Sequence, residues 1–363
     1  MGDPHGIGIV GLGVISGAYL ETLADHPDVR IAAVADLDPA RADAVAAQLP
    51  GTAALSVDAL LDSPDVQTVL NLTIPAAHAD IALRAIARNK GVYGEKPLAA
   101  TFEEAEQVVA RAARGGITLG CAPDTVLGTG IQTARAAIDA GVIGRPLSAL
   151  AVMVTPGHER WHPNPDFYYA PGGGPLLDMG PYYLSALVQL LGPIRAVTGV
   201  GARLRGERTI GSGTRAGERI PVGVDTHVSG VLEHTGGALS TITTSFDGVR
   251  TSAAPIEVHG ESGTLVVPDP NKFAGDVRLF PLEGDAWQAL PPSAGYADAS
   301  RGIGLLDLIT SEGRAGGGLA LHVLEAMTSL LRSAGVGRRI ELTTTVDRPS
   351  PVPLTPAEEW RRS

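Results

Sequence analysis

Residues 8–16 read Gly-Ile-Val-Gly-Leu-Gly-Val-Ile-Ser, and a carboxylate, Asp36, stands twenty positions beyond Ser16. Residues 7–10 form an apolar run short enough for a buried strand, and a helical pattern begins at Ser16. A glycine-rich turn between a buried strand and a helix is the setting of a dinucleotide fingerprint. Gly11 permits the tight turn, and Gly13 has no side chain to keep a pyrophosphate off the backbone. Past Val14 and Ile15, the helix N-terminus presents N–H groups to that anion. Ser16 occupies the third small position. Glycine is abundant here, 46 of 363 residues, so the reading also needs Asp36. It ends a second apolar run, residues 29–35, where a carboxylate accepts hydrogen bonds from both hydroxyls of an adenosine ribose. The same charge repels a 2′-phosphate. The next residue is Leu37 rather than Arg, although Arg41 lies one helical turn on. NAD is therefore expected over NADP.

The first third of the chain alternates. Helices are predicted over residues 16–25, 39–49, 76–88 and 102–114, with a short helical stretch at 57–61. Strands are predicted over 7–10, 29–35, 66–72, 91–95 and 117–122. Asp38 and Thr101 suit N-caps, the latter with Glu104 at the capping-box position. Such alternation means an α/β fold with a parallel, doubly wound sheet of the Rossmann type, whose ligands sit at the carboxyl ends of the strands. Those ends carry Gly11 and Gly13, Asp36, Thr73-Ile74-Pro75, Glu95-Lys96-Pro97, and Asp124 with Thr125. After a helix over 130–140 the pattern changes. β-type runs at 147–155, 194–204, 225–233, 238–246, 255–259 and 264–268 predict a mostly antiparallel open sheet. A helix over 181–191 interrupts them, and a helix over 318–334 and a strand over 339–344 follow. Residues 205–223 read as a surface loop. The expected division is a dinucleotide-binding domain over 1–124 and a substrate-binding α/β domain over 125–363, its last helix packing back on the first domain.

Composition removes several classes. A net charge of −11 argues against nucleic acid or an anionic membrane as the partner. Cys121 is the only cysteine, which excludes an intramolecular disulfide and a cysteine metal site. With no basic and apolar leader at the N-terminus and no apolar run of about 20 residues, a cytoplasmic protein is expected.

Chemistry concentrates in two places. Lys96 at a strand end of a dinucleotide sheet can hydrogen-bond a reacting oxygen and lower the barrier electrostatically. Residues 172–183, Gly-Gly-Gly-Pro-Leu-Leu-Asp-Met-Gly-Pro-Tyr-Tyr, put Asp178 and Tyr182 four apart, on one face of a helical turn. A carboxylate and a phenol aimed at one pocket suit hydroxyl binding and proton transfer. The alternative is that Asp178 caps the helix over 181–191 and Tyr182 only packs. Just upstream, residues 158–169 gather two histidines and four aromatics in a chain that is 4% aromatic. Trp161 and His162 there suit the C–H face and hydroxyls of a sugar, or the loop is pinned into the core by Trp161 and Phe167. The prolines deny His158 and His162 a helical metal-binding pair, and no metal is expected. His322, on the last long helix, is a further substrate-pocket candidate. His78 is expected to pack or cap beside the nicotinamide turn, and Cys121 to be buried and inert.

The fingerprint, Asp36, Thr73-Ile74-Pro75 with His78, Glu95-Lys96-Pro97, Ile138-Asp139-x-Gly141-x-Ile143-Gly144 and Gly-Gly-Gly-x-x-x-Asp-x-Gly occur in that order. Together they resemble the Gfo/Idh/MocA family over nearly the whole chain. The resemblance implies NAD(P)-dependent oxidation or reduction of a sugar or polyol. It also implies a second domain whose open sheet serves as an oligomer face, hence a homodimer or homotetramer. It assigns Gly11, Gly13, Val14, Ile15, Asp36, Leu37, Thr73, Ile74, Pro75, His78, Glu95, Lys96 and Pro97 to the cofactor. It assigns Asp124, Thr125, Trp161, His162, Asp178, Tyr182 and His322 to the substrate, with Lys96, Asp178 and Tyr182 catalytic. The chain departs from inositol-dehydrogenase-like members, which carry His where Tyr182 stands. Members resembling glucose–fructose oxidoreductase and dihydrodiol dehydrogenase use Tyr as acid/base. A free phenol titrates near pH 10, and Lys96 close by would favour the phenolate. Two other functions stay open: an NAD-dependent glycoside hydrolase working through a transient 3-keto intermediate, and a non-catalytic nucleotide-responsive binding protein.

Overall fold

The computed structural model describes residues 3–361. In chain order the elements begin β1 (His5–Val10), α1 (Ser16–Leu23), β2 (Val29–Ala35), α2 (Pro39–Ala46), β3 (Ala53–Ala54), α3 (Val57–Asp62), β4 (Thr68–Asn71), α4 (Pro75–Ala87), β5 (Gly91–Gly94), α5 (Phe102–Gly115) and β6 (Leu119–Cys121). They continue α6 (Thr129–Asp139), β7 (Pro146–Val154), α7 (Asp166–Tyr169), α8 (Pro175–Leu191), β8 (Ile194–Ala202), β9 (Glu207–Thr209), β10 (Arg219–Pro221), β11 (His227–His234) and β12 (Leu239–Ser245). The remainder are β13 (Ile256–Gly260), β14 (Gly263–Val267), β15 (Val277–Pro281), β16 (Gln288–Leu290), α9 (Ile303–Thr310), α10 (Gly317–Val336), β17 (Ile340–Glu341) and α11 (Ala357–Trp360).

The chain forms two compact units. The first comprises the residues up to Gly128, Ala294–Leu321 and the segment from Val352; the second comprises Thr129–Ser293 and His322–Pro351. This corrects the contiguous division at residue 124: the first unit is built from three separate segments.

In the first unit six parallel strands run in the order β3-β2-β1-β4-β5-β6. The chain winds outward from β1 to β3, then starts again beside β1 at β4. That reversal creates the switch point where a ligand binds at the carboxyl ends. The central strands are buried along nearly their whole length, which is why they read as continuous apolar runs. The expected capping box forms at α5: the Thr101 hydroxyl accepts from the Glu104 N–H, and the Glu104 carboxylate accepts from the Thr101 N–H. The late segments are fastened by polar side chains. The His26 ring meets the Trp360 carbonyl at 2.7 Å, and the Trp360 indole donates to the Ala297 carbonyl.

The second unit holds a nine-stranded sheet in the order β16-β15-β14-β13-β7-β12-β11-β8-β17. Every pairing is antiparallel except β7 with β12. β15 and β16 extend it beyond the sequence expectation. α6 and α8 pack on this sheet. α8 starts six residues before the expected Pro181: Gly174, at φ 96°, precedes Pro175 at the first helical position, and Pro181 lies inside the helix. Both prolines satisfy the start rule. The interior one forfeits a backbone hydrogen bond at a cost of about 3 kcal/mol, offset by a helix buried continuously from Gly180 to Leu191. Residues 205–223, expected as a loop, contain the β9–β10 hairpin. Among the described residues no helix is long and apolar enough to cross a membrane.

Candidate active site

The turn after β1 is shaped by two glycines with different reasons. Gly11 has φ 92°, and a Cβ there would lie 2.8 Å from the Leu72 carbonyl and the Thr73 nitrogen. Only glycine fits. A Cβ on Gly13 would meet nothing within 4 Å, so its bareness serves no packing and leaves the backbone open to a ligand. No acidic residue occupies the first turn of α1, and the Ser16 hydroxyl donates to the Gly13 carbonyl at 2.7 Å.

Asp36 follows β2. Its carboxylate accepts N–H donors from Leu12 at 2.7 Å and Asp38 at 2.9 Å, and Arg41 approaches to 3.2 Å. Burial by itself would raise this carboxyl, but the two N–H donors and the Arg41 guanidinium outweigh it and hold it below the ordinary range. Around these groups Val14 and Leu37 are fully exposed and Ile74 is 70% exposed. Large aliphatic side chains at three strand ends, flanking a bare glycine and an ionised carboxylate, fit the apolar and hydroxyl-bearing parts of a dinucleotide.

The ends of β4 and β5 redistribute several expected roles. His78 is buried, with one ring nitrogen 2.6 Å from the Pro97 carbonyl and the other 2.9 Å from the Thr73 carbonyl. It ties two turns together and offers no nitrogen to a cofactor. Glu95 is likewise buried, accepting from the Tyr19 hydroxyl at 2.9 Å and the Lys96 N–H at 3.0 Å. Its carboxylate holds the Lys96 backbone, while Lys96 itself is half-buried. Asp124 and Thr125 are fully buried. Asp124 accepts from the Gly302 N–H at 2.8 Å, from the Gly304 N–H, and from Arg301 at 3.2 Å. Burial pushes its carboxyl up, with Arg301 and the N–H donors opposing. Both residues belong to the interior rather than to a substrate pocket. Cys121 is buried, and burial pushes its thiol far up, as expected for an inert cysteine.

In the second unit the triple glycine joins the aromatic loop to α8. A Cβ on Gly173 would lie 2.3 Å from the Phe167 carbonyl, and the Gly174 N–H donates to the Tyr168 carbonyl at 2.7 Å. Asp178 stands in the first turn of α8 but does not cap it; Gly174 does. A carboxylate there is favoured by the helix dipole. Its Oδ2 lies 3.0 Å from His158 Nε2, the two side chains being 17% and 12% exposed. The His158 ring is boxed by Trp161, Tyr168 and Phe246 at centroid distances of 5.2, 4.6 and 4.5 Å. Its Nδ1 is buried without a partner, so the proton belongs on Nε2, where it donates to Asp178. This pairing across twenty residues has no local sequence signal beyond the clustering of rings around 158. Tyr182, four residues on, is buried.

Trp161 and Phe167 are not core pins: they are 59% and 57% exposed. His162 packs edge-on between them, 5.4 Å from each. The loop is anchored from below by Glu159, which takes the Tyr169 hydroxyl and lies 3.3 Å from Arg208; Arg208 in turn pairs with Asp247 at 2.5 Å. His322 is fully buried, accepting the Ile194 N–H at 3.0 Å and meeting the Thr344 hydroxyl at 2.9 Å. Burial lowers its imidazole. With Glu325, which takes the N–H and hydroxyl groups of Thr343 and Thr344, it fastens the segment after β17.

Comparison with known proteins matches residues 5–122 to the description "Oxidoreductase family, NAD-binding Rossmann fold" and residues 131–266 to "GFO/IDH/MocA C-terminal domain". The chain is 30% identical over 257 residues to a 1,5-anhydro-D-fructose reductase of Ensifer adhaerens, covering 69% of this chain and 72% of that one. It is 30% identical over 275 residues to a dTDP-3,4-didehydro-2,6-dideoxy-alpha-D-glucose 3-reductase of Streptomyces antibioticus, covering 72% and 82%. Among solved structures, an NAD binding oxidoreductase from Klebsiella pneumoniae superimposes with a TM-score of 0.82 at 23% identity, over 94% of this chain and all of that one. A levoglucosan dehydrogenase complexed with NADH and L-sorbose gives 0.76 at 19%, over 94% and 100%. At these identities the structural matches speak for the fold.

Proposed function

The chain belongs to the Gfo/Idh/MocA family of oxidoreductases, whose first domain is an NAD-binding Rossmann fold, and from that premise we propose that it moves a hydride between NAD and a CH–OH carbon of a sugar or polyol. Asp178 carries the substrate reading. A buried-edge carboxylate oriented by His158, beside exposed aromatic rings, offers a hydroxyl acceptor and a C–H stacking face. Those are the two chemistries a polyol needs. Relatives named as anhydrofructose reductase, dTDP-sugar 3-reductase and inositol 2-dehydrogenase act within the same chemical class.

Bound NAD supplies the hydride acceptor. Lys96 contributes an ammonium that stabilises developing charge on the substrate oxygen. Tyr182 takes the hydroxyl proton, and Asp178 accepts a hydrogen bond from an adjacent hydroxyl and so orients the ring. NADH formation across inositols, aldoses and ketosugars tests the reaction. Tyr182→Phe and Lys96→Met should each lower kcat about 100-fold or more with a good substrate; near-wild-type values in both would overturn the assignment.

Preference for NAD over NADP is supported by the ionised Asp36 at the ribose position. Self-association is supported by the outer face of the nine-stranded sheet. There Leu150, Thr241, Val231 and Thr198 stand side by side in register, and Leu239 and Val200 are also exposed. A homodimer or homotetramer would cover it, and light scattering of Val231→Glu against wild type tests this. A cytoplasmic location agrees with a single, buried, unpaired cysteine.

A further inference from the structure

We propose that Trp161 and Phe167 form a subsite for a second sugar ring, so that the substrate is a glycoside or short oligosaccharide; this rests on the sugar reading above and extends it. Exposed apolar residues that cluster into a patch mark binding surface, whereas scattered ones do not. In a chain that is 4% aromatic, two of them stand more than half exposed within seven residues. They are also held rigidly. His162 lies between them, the Phe167 and Tyr168 ring centroids are 4.0 Å apart at a tilt of 36°, and the buried Glu159–Arg208–Asp247 network fixes the loop beneath. A preorganised aromatic face costs little entropy when a ring docks on it.

Its position links it to Asp178. The Trp161 ring is 5.2 Å from that of His158, whose Nε2 is 3.0 Å from Asp178. The aromatic face and the carboxylate that orients the reacting ring therefore contact the same histidine. The surrounding charges favour a sugar over a nucleoside diphosphate. Arg208 is spent on Glu159 and Asp247, Arg215 on Asp166 and Glu218, and Arg219 on Glu207. Arg160 remains exposed beside Trp161, sufficient for hydroxyls but short of the cluster that a diphosphate recruits.

The test uses the NAD-loaded protein and matched monosaccharides, methyl glycosides and disaccharides of gluco, galacto and manno configuration. Binding is followed by calorimetry, with the emission difference between wild type and Trp161→Ala as a second reading for Trp161, and turnover by NADH. At least one disaccharide should bind roughly tenfold tighter than its methyl glycoside and shift the emission. Trp161→Ala should collapse that ratio, with Phe167→Ala reducing it. Disaccharides that bind no tighter than methyl glycosides, or an advantage that survives Trp161→Ala, would overturn the subsite. If the binding ratio collapses as expected but no sugar is oxidised or reduced, the subsite stands and the redox assignment fails. Melting temperatures of the variants guard against misfolding.

Discussion

His158→Phe isolates the bond that orients Asp178. Phenylalanine keeps a ring of similar size between Trp161, Tyr168 and Phe246, so the packing survives and only the N–H is lost. The Asp178 side chain is 17% exposed, too little for water to replace the donor fully. A hydrogen bond to a charged group contributes about 1.5–3 kcal/mol. If that energy holds the carboxylate in its productive orientation, kcat/KM should fall roughly 10- to 150-fold. His158→Gln, which restores an amide N–H, should recover part of the loss. Asp178→Ala and the His158→Phe/Asp178→Ala double variant complete the cycle, and the double should be little worse than Asp178→Ala alone. Steady-state kinetics with the best substrate, beside thermal melts, separate positioning from stability: a purely structural histidine lowers Tm by about 2–4 °C per kcal/mol and leaves turnover of the folded protein intact. A kcat/KM within twofold of wild type, or additive effects of the two single variants, refutes the reasoning.

Gly11→Ala forces a Cβ against the Leu72 carbonyl at a positive φ and should destabilise by about 1–3 kcal/mol or more, read by urea unfolding; Gly13→Ala should unfold like wild type yet bind NAD more weakly in calorimetry. Asp36→Asn removes a charge that accepts from Leu12 and Asp38 and should raise the KM for NAD about tenfold while narrowing the gap to NADP, which Arg41→Ala should reopen; an unchanged ratio of the two cofactors' kcat/KM counts against the ribose role. His234 is buried between the Gly192 carbonyl and Ser240, and burial lowers its imidazole from 6.5 to about 4. The unfolded state then binds the extra proton first, so His234 costs no stability above pH 6.5 and progressively more as pH falls toward 4. At 1.36 kcal/mol per pH unit that is about 3 kcal/mol, and the pH dependence of unfolding should flatten by that amount in His234→Leu.

The sequence pattern located the fold where the signal is local. The strand–turn–helix at Gly11, the buried runs of β1, β2 and β4, and the capping box at Thr101 all depend on residues within a few positions of one another. It failed where geometry is set at long range. β16 spans three residues, too few to show a period, and residues 294–321 join the first unit through bonds such as those from Gly302 and Gly304 to Asp124, more than 170 residues apart. At α8 two prolines met the same start rule, and the choice between them was made by Gly174, whose positive φ no sequence pattern reveals.

The site residues divide by a related physical reason. Turns at strand ends leave backbone N–H and C=O groups outside the ladder, and when buried these must find side-chain partners. The reactive residue types that a motif search prizes are the ones able to supply them. His78 is consumed by two carbonyls, Glu95 by the Lys96 amide, Asp124 by two glycine amides, and His322 by the amide of Ile194. A polar residue near a strand end thus serves either the backbone or a ligand, and its identity alone does not say which. The apolar residues carry the complementary signal. Val14, Leu37 and Ile74 at neighbouring strand ends, and Trp161 with Phe167 in one loop, lie in water as groups, and clustered apolar surface of this kind marks binding where scattered residues do not. Asp178 meets both tests at once: it is paired with a side chain, His158, and that histidine sits against an exposed aromatic face. Of the candidate residues in the second unit, this makes Asp178 the one whose placement is hardest to explain by packing alone.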